Sequence, residues 1–187
     1  MEYRKLGSSD LEVSVIGYGA WGIGGAPFWN NEGDGKSRDS IKKAYDLGIN
    51  FFDTAPVYGF GHSEELIGKA LKPFRDKVII ATKCGLRWDK RSLSALRKDA
   101  SRNSILEEVD QSLKRLDMDV IDLYQVHWPD EKTDQKETME TLLEIQEKGK
   151  IRHIGVSNYS AEQIVDCLQY GKIVSLQPEF SLLARDI

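Results

Sequence analysis

The stretch Gly48-Ile49-Asn50-Phe51-Phe52-Asp53-Thr54-Ala55-Pro56-Val57-Tyr58-Gly59 decides how this chain is read. Asn50-Phe51-Phe52 is a short apolar run, the pattern of a buried strand, and it stops at an acid, Asp53. Upstream, Ser37 to Leu47 has helical periodicity and is stopped by Gly48. Downstream, Ser63 to Leu71 reads as a second helix, with Pro73 just beyond it. A strand held between two helices is the repeating unit of a parallel sheet.

The same alternation extends both ways. Val13 to Gly17, Val78 to Thr82, Val120 to Val126, Ile151 to Val156 and Ile173 to Leu176 read as further strands. Ser101 to Leu116 places Ile105, Val109, Leu113 and Leu116 at helical spacing. Glu137 to Lys148 is a helix closed by Gly149, and Ser160 with Gln163 forms a capping box for a helix running to Tyr170. Six strands separated by five helical segments imply right-handed parallel crossovers. Two α/β architectures fit, a doubly wound sheet and a β/α barrel. Gly17-Tyr18-Gly19-Ala20-Trp21-Gly22 matches the dinucleotide-binding glycine pattern, but no helix opens after it. Gly24, Gly25, Pro27, Asn30, Asn31, Gly33 and Gly35 follow instead, so the segment reads as a long loop at a strand end, without the helix N-terminus that would hold a pyrophosphate.

Composition narrows the function. The 187 residues are 40% hydrophobic and 30% charged, ordinary globular usage. Lys and Arg number 26 against 30 Asp and Glu, a formal net charge of -4. That balance argues against a nucleic-acid footprint and a polybasic membrane anchor. No apolar run approaches the ~20 residues of a spanning helix. Cys84 and Cys167 match no metal or redox spacing. The expectation is a soluble protein of a reducing compartment, the cytoplasm.

Every apolar run after the first delivers a polar residue at its end: Asp53, Lys83, His127, Ser157-Asn158 and Gln177. In a β/α barrel these positions share one mouth, where such barrels place their active sites. The three histidines, His62, His127 and His153, share no metal-ligand spacing, so no metal site is expected. The loop after Asp53 carries Tyr58. A free tyrosine titrates near ~10 and is a poor acid at neutral pH. A neighbouring ammonium from Lys83, held by Asp53, is expected to stabilise its phenolate and lower that value. Tyrosine, lysine, aspartate and histidine together suit proton donation to a carbonyl oxygen. Cys84 reads as a small buried spacer. Trp88 and Trp128, just after strand ends, suit either a substrate pocket or packing.

These residues carry a resemblance. Gly48 to Gly59, followed by Ser63-Glu64-Glu65-Leu66-Ile67-Gly68, resembles the aldo-keto reductase signature. So do Thr82-Lys83-Cys84-Gly85, Asp119 to His127, and Gly149-Lys150-Ile151-Arg152-His153-Ile154-Gly155-Val156-Ser157-Asn158. Tyr3-Arg4-Lys5-Leu6-Gly7 with Leu11-Glu12-Val13-Ser14 is similar to the hairpin that plugs the barrel bottom in that family. The resemblance runs along the whole chain. It implies a (β/α)8 TIM barrel, of which residues 1–187 form a single incomplete domain with the first six strands. It also implies reduction of aldehydes or ketones with NADPH. Tyr58 would be the proton donor, Asp53 and Lys83 the pair that tunes it, and His127 the residue that orients the carbonyl. Ser157, Asn158 and Gln177 would hold the nicotinamide amide, and Trp21 would touch cofactor or substrate. Ala20 stands where the family often has threonine.

In that family the aromatic that stacks on the nicotinamide, and the basic residues for the adenosine phosphate, come from strands seven and eight, beyond Ile187. The chain therefore reads as truncated after strand six and is expected to be weak or inactive alone. Channel-associated β subunits, non-catalytic modules of the same fold, are the alternative; all four residues of the tetrad favour the enzyme.

Overall fold

Valine, isoleucine and phenylalanine crowd the short runs identified above, and such residues suit a pleated surface buried on both faces. The computed structural model describes residues 1–30 and 33–185. Asn31 of the glycine-rich loop and Ile187 lie outside them. Strands β1 (Tyr3–Lys5) and β2 (Glu12–Ser14) form an antiparallel hairpin. They are followed by β3 (Tyr18–Gly19), α1 (Asp34–Asp46), β4 (Phe51–Asp53), α2 (His62–Leu71) and β5 (Ile79–Cys84). A second antiparallel hairpin, β6 (Leu86–Trp88) with β7 (Leu96–Lys98), precedes α3 (Arg102–Leu116). Then come β8 (Ile121–Val126), α4 (Gln135–Glu147), β9 (Ile151–Ser157), α5 (Ala161–Cys167) and β10 (Ser175–Gln177).

Strands β3, β4, β5, β8, β9 and β10 make one parallel sheet in which spatial order follows chain order. A doubly wound sheet reverses its order at a switch point. This one never does, so it is the curled wall of a β/α barrel, six strands of it.

The period-two alternation of each strand separates two environments. Phe52, Ile80, Tyr124, Val126, Ile154 and Val156 belong to the main core, packed with Ile67 and Leu71 of α2, Ile105 and Val109 of α3, and Leu142 and Ile145 of α4. Ala81 and Leu123 face the other way and meet Val174 in a separate small cluster. The β1–β2 hairpin closes the bottom of that inner side, with Leu11 and Val13 against Ile79 and Phe51. Helix termini follow local chemistry: Asp134 accepts from the backbone N–H of Lys136 at the start of α4, and Ser160 and Gln163 form a reciprocal capping box on α5. Gly68 lets α2 lie against the end of α3, where an added Cβ would stand 2.2 Å from the Leu116 carbonyl oxygen. No helix among the described residues is long and apolar enough to cross a membrane.

One expectation is corrected. The run Val13 to Gly17 is not the first parallel strand. Its start belongs to the bottom hairpin, and the barrel strand is the two-residue β3 beyond it. Both segments are apolar because the hairpin plugs the barrel floor, so composition alone does not separate them. The segment between β5 and α3, to which the sequence reading assigns no element, carries the β6–β7 hairpin. Among its described residues the glycine-rich loop contains one turn of 3-10 helix, Gly22–Gly24, and Ala20 is fully buried there.

Candidate active site

Three strands and one loop bring the proton-transfer groups together. Asp53 ends β4, Lys83 is the fifth residue of β5, and His127 follows β8. Tyr58 sits in the turn after β4, where its N–H donates to the Ala55 carbonyl at 3.1 Å. The Lys83 ammonium donates to both oxygens of Asp53, Oδ1 at 2.9 Å and Oδ2 at 2.7 Å, to the Thr54 carbonyl at 2.9 Å and to the Tyr58 hydroxyl at 3.2 Å. Lys83 is only 2% exposed, and a charge so buried persists only when paired and hydrogen-bonded. Burial works against its ammonium, yet Asp53 outweighs this and lifts its pKa above the ordinary lysine value.

The Tyr58 oxygen accepts from Lys83, so its own O–H is left to donate elsewhere. Burial raises the Tyr58 pKa and Lys83 pulls it back only in part. This corrects the expectation of a lowered phenol: the dominant force in the closed-in turn is desolvation, and Tyr58 is a neutral phenol at neutral pH. The His127 ring stands nearly perpendicular to that of Tyr58, with centroids 5.9 Å apart. Burial, with a smaller push from Lys83, drives the His127 pKa down to about 3. The imidazole is therefore neutral, a hydrogen-bonding group rather than a cation.

Beside the tetrad lies a set of amide and hydroxyl groups. Ser157 Oγ donates to the Gln177 carbonyl at 2.9 Å. Asn158 Nδ2 donates to the His127 carbonyl at 2.9 Å and to Ser157 Oγ at 3.0 Å. Asn158 adopts a left-handed backbone, φ 62°, which asparagine tolerates better than most residues. These bonds occupy the donor side of Asn158 and leave its Oδ1 open among the described residues. Ser157 Oγ and the Asn158 N–H both bond the Gln177 backbone carbonyl, so the chemistry of the set, an amide acceptor on Asn158 and amide donors on Gln177, is of the kind a primary carboxamide needs.

Aromatic side chains line one side of the mouth. The Trp21 ring lies 6.3 Å from that of Tyr58 and packs edge-on against Phe28 and Trp29. Trp88 contacts Phe60 at 5.4 Å, and Trp128 is half-exposed beneath the Lys98 ammonium. Cys84 is buried, and burial raises its thiol well above the ordinary range, so it is no activated nucleophile. His62 and His153 pair with the carboxylates of Asp34 and Asp10. No group of three or more His, Cys, Asp or Glu side chains able to hold a metal occurs among the described residues.

Sequence reading missed Gln125. Its side chain, in the middle of β8, reaches Asp53 Oδ1 at 3.3 Å and Gln177 Oε1 at 3.5 Å. The available signal was a lone amide at an inward-facing position of a buried strand. A concavity of about 790 Å³ lies at the opposite end of the strands, lined by Lys72, Arg75, Asp117, Asp122 and Arg152 among others. Its innermost carboxylate, Asp122, is fully committed to arginines and backbone, so size there does not indicate chemistry.

The sequence model of the Aldo/keto reductase family matches residues 15–187. The chain is 46% identical over 189 residues to the aldo-keto reductase YhdN of Bacillus subtilis, covering 100% of this chain and 56% of that protein. It is 42% identical over 197 residues to an NADH-specific methylglyoxal reductase of Escherichia coli, covering 99% and 60%. A glycerol dehydrogenase of Gluconobacter oxydans superposes with a TM-score of 0.90 at 39% identity, covering 99% of this chain and 58% of that structure. The chain thus spans a little over half the length of the relatives it matches. With a parallel barrel wall in chain order and a family match from Val15 onward, this chain belongs to the aldo/keto reductase family.

Proposed function

We propose that this chain carries the proton-transfer and amide-binding half of a carbonyl reductase, in which Tyr58 protonates the oxygen of an aldehyde or ketone. A reduced nicotinamide dinucleotide, NADPH on the resemblance of the motifs, supplies the hydride when bound. The observation that carries the reading is the Lys83–Tyr58 contact. A buried ammonium donates to the phenol oxygen, so the phenol proton faces outward and the phenolate left behind is stabilised where it forms. Asp53 keeps Lys83 charged and aimed. Neutral His127 donates to the carbonyl oxygen and orients it. Ser157, Asn158 and Gln177 hold the carboxamide and so fix which ring face is offered, while Trp21 borders the mouth. The product is the alcohol: carbon has gained the hydride and oxygen the proton of Tyr58. Two buried free cysteines suit a reducing compartment, the cytoplasm.

The test is Tyr58→Phe in a chain completed with strands seven and eight, assayed by dinucleotide oxidation with a small aldehyde and either NADPH or NADH. General acid catalysis contributes typically about 10²- to 10⁴-fold, so kcat should fall by that much. Dinucleotide affinity should hold, because the hydroxyl is asked only for a proton. A variant keeping more than half of the original kcat would remove Tyr58 from the mechanism, and faster turnover with NADH would remove the NADPH assignment.

A further inference from the structure

Sheet register places Lys83 of β5, Gln125 of β8, Gly155 of β9 and Ser175 of β10 in one row across the barrel wall. Lys83 and Gln125 are each only 2% exposed. A buried primary amide is costly unless satisfied, and an apolar residue would be the ordinary occupant of this position. Gln125 uses both N–H groups of one nitrogen, toward Asp53 Oδ1 at 3.3 Å and toward Gln177 Oε1 at 3.5 Å. The reach to β10 passes over Gly155. A Cβ there would stand 3.1 Å from Gln125 Cγ and 2.4 Å from Ser175 Oγ. The missing methyl at 155 is thus what lets an amide on β8 touch a side chain two strands away.

We infer that Gln125 is a positioning residue that couples the amide site at Gln177 to the proton donor Tyr58, through Asp53. The inference rests on the carbonyl-reductase reading and adds to it a residue that touches neither substrate nor cofactor. The positive end of the Gln125 amide disperses charge on Asp53 Oδ1, so Asp53 draws less on the Lys83 ammonium that also serves Tyr58. The same nitrogen holds Gln177 by its oxygen, which turns the Gln177 N–H groups toward the mouth. Loss of Gln125 therefore loosens the amide site and weakens the acid in one step.

The experiment titrates the full chain, ¹⁵N-labelled, with NADP⁺ into the millimolar range. It follows the Gln125 side-chain amide resonance, assigned by its loss in Gln125→Met. In the unmodified chain NADP⁺ should shift that resonance. Gln125→Met should weaken NADP⁺ binding about three- to tenfold, the range of one neutral hydrogen bond. In a Gln177→Met background the same substitution should cost nothing further, because the two losses are one interaction. Fully additive losses, or no loss in Gln125→Met, would overturn the coupling while leaving the reductase reading intact. Absence of any NADP⁺-induced shift anywhere in the unmodified chain would remove the amide site and the inference with it. If Gln125→Met does not fold, Gln125→Glu keeps the length and oxygens but not the N–H groups. Unchanged NADP⁺ affinity in that variant would equally overturn the proposal.

Discussion

At the mouth of the barrel, Asp53 and Lys83 form a buried ion pair; at the bottom of the same wall, Asp122 is clamped by Arg75 and Arg152. The ingredients are alike, a carboxylate and cations drawn from neighbouring strands and helix ends. Their completeness differs. Asp122 has one oxygen on the Ile80 N–H and Arg75, the other on Arg152, with Arg75 also bonded to the Val78 and Val120 carbonyls. Both oxygens are engaged by arginines or backbone, and the cluster pins β5, β8 and β9 together. At the mouth the lysine is shared with a phenol whose proton remains available, and a neutral imidazole stands edge-on to that phenol with no side-chain hydrogen bond among the described residues. Saturated polar networks rigidify. Chemistry requires a group held firmly on one side and open on the other.

The comparison is broken most severely by Lys83→Met. It removes the cation from both Asp53 and Tyr58, so kcat should fall by about 10²-fold or more, and the apparent pKa of the acidic group in the pH–rate profile should rise. An unchanged profile in this variant would mean the proton donor is tuned by something other than Lys83.

A smaller effect is expected at the other end. Asp122→Asn offers one acceptor where two are used and turns an N–H toward an arginine or toward the Ile80 N–H. Arg75 and Arg152 keep partial contact with solvent, so the loss should be about 2–3 kcal/mol, below that of a fully buried broken pair. Urea unfolding measures it, and turnover per folded molecule should be unchanged. A loss of activity without a loss of stability would erase the distinction between the two clusters.

The mildest test sharpens the contrast by pH. His127 is held neutral by burial, its pKa lowered from 6.5 to about 3. Below pH ~6.5 the unfolded chain takes up a proton that the folded chain refuses. Stability from this site is therefore complete above that pH and declines as pH falls toward 3. Relative to His127→Gln, the unmodified chain should lose about 1–2 kcal/mol between pH 7 and pH 5. A flat difference between the two across that range would show that His127 titrates normally and is not enclosed.

Much of the site was legible because of how barrels are wired. Every βα unit ends its strand at the same rim, so Asp53, Lys83, His127, Ser157, Asn158 and Gln177 declared themselves as polar punctuation after apolar runs. Tyr58 was legible from the motif around it, while its electrostatics were not. Six alternating parallel strands followed from periodicity and the barrel class from the family resemblance, but Val13 to Gly17 was assigned to the wrong sheet, since a plug strand and a wall strand are equally apolar. The β6–β7 hairpin gave no signal: Leu86-Arg87-Trp88 and Leu96-Arg97-Lys98 are short and charged, and their pairing depends on being carried across the mouth together.

What the sequence by itself determined is the order of elements, the family, and which chemical groups arrive at the rim, because these depend on local periodicity and on residues that stand next to one another. Only the tertiary structure decided that the Tyr58 phenol is raised rather than lowered, that His127 is neutral, that Gln125 bridges two strands over Gly155, and that Asp122 is closed to chemistry. Each of these turns on burial or on a contact between distant strands, and desolvation is a property of everything packed around a group, which no neighbouring residue in the chain encodes.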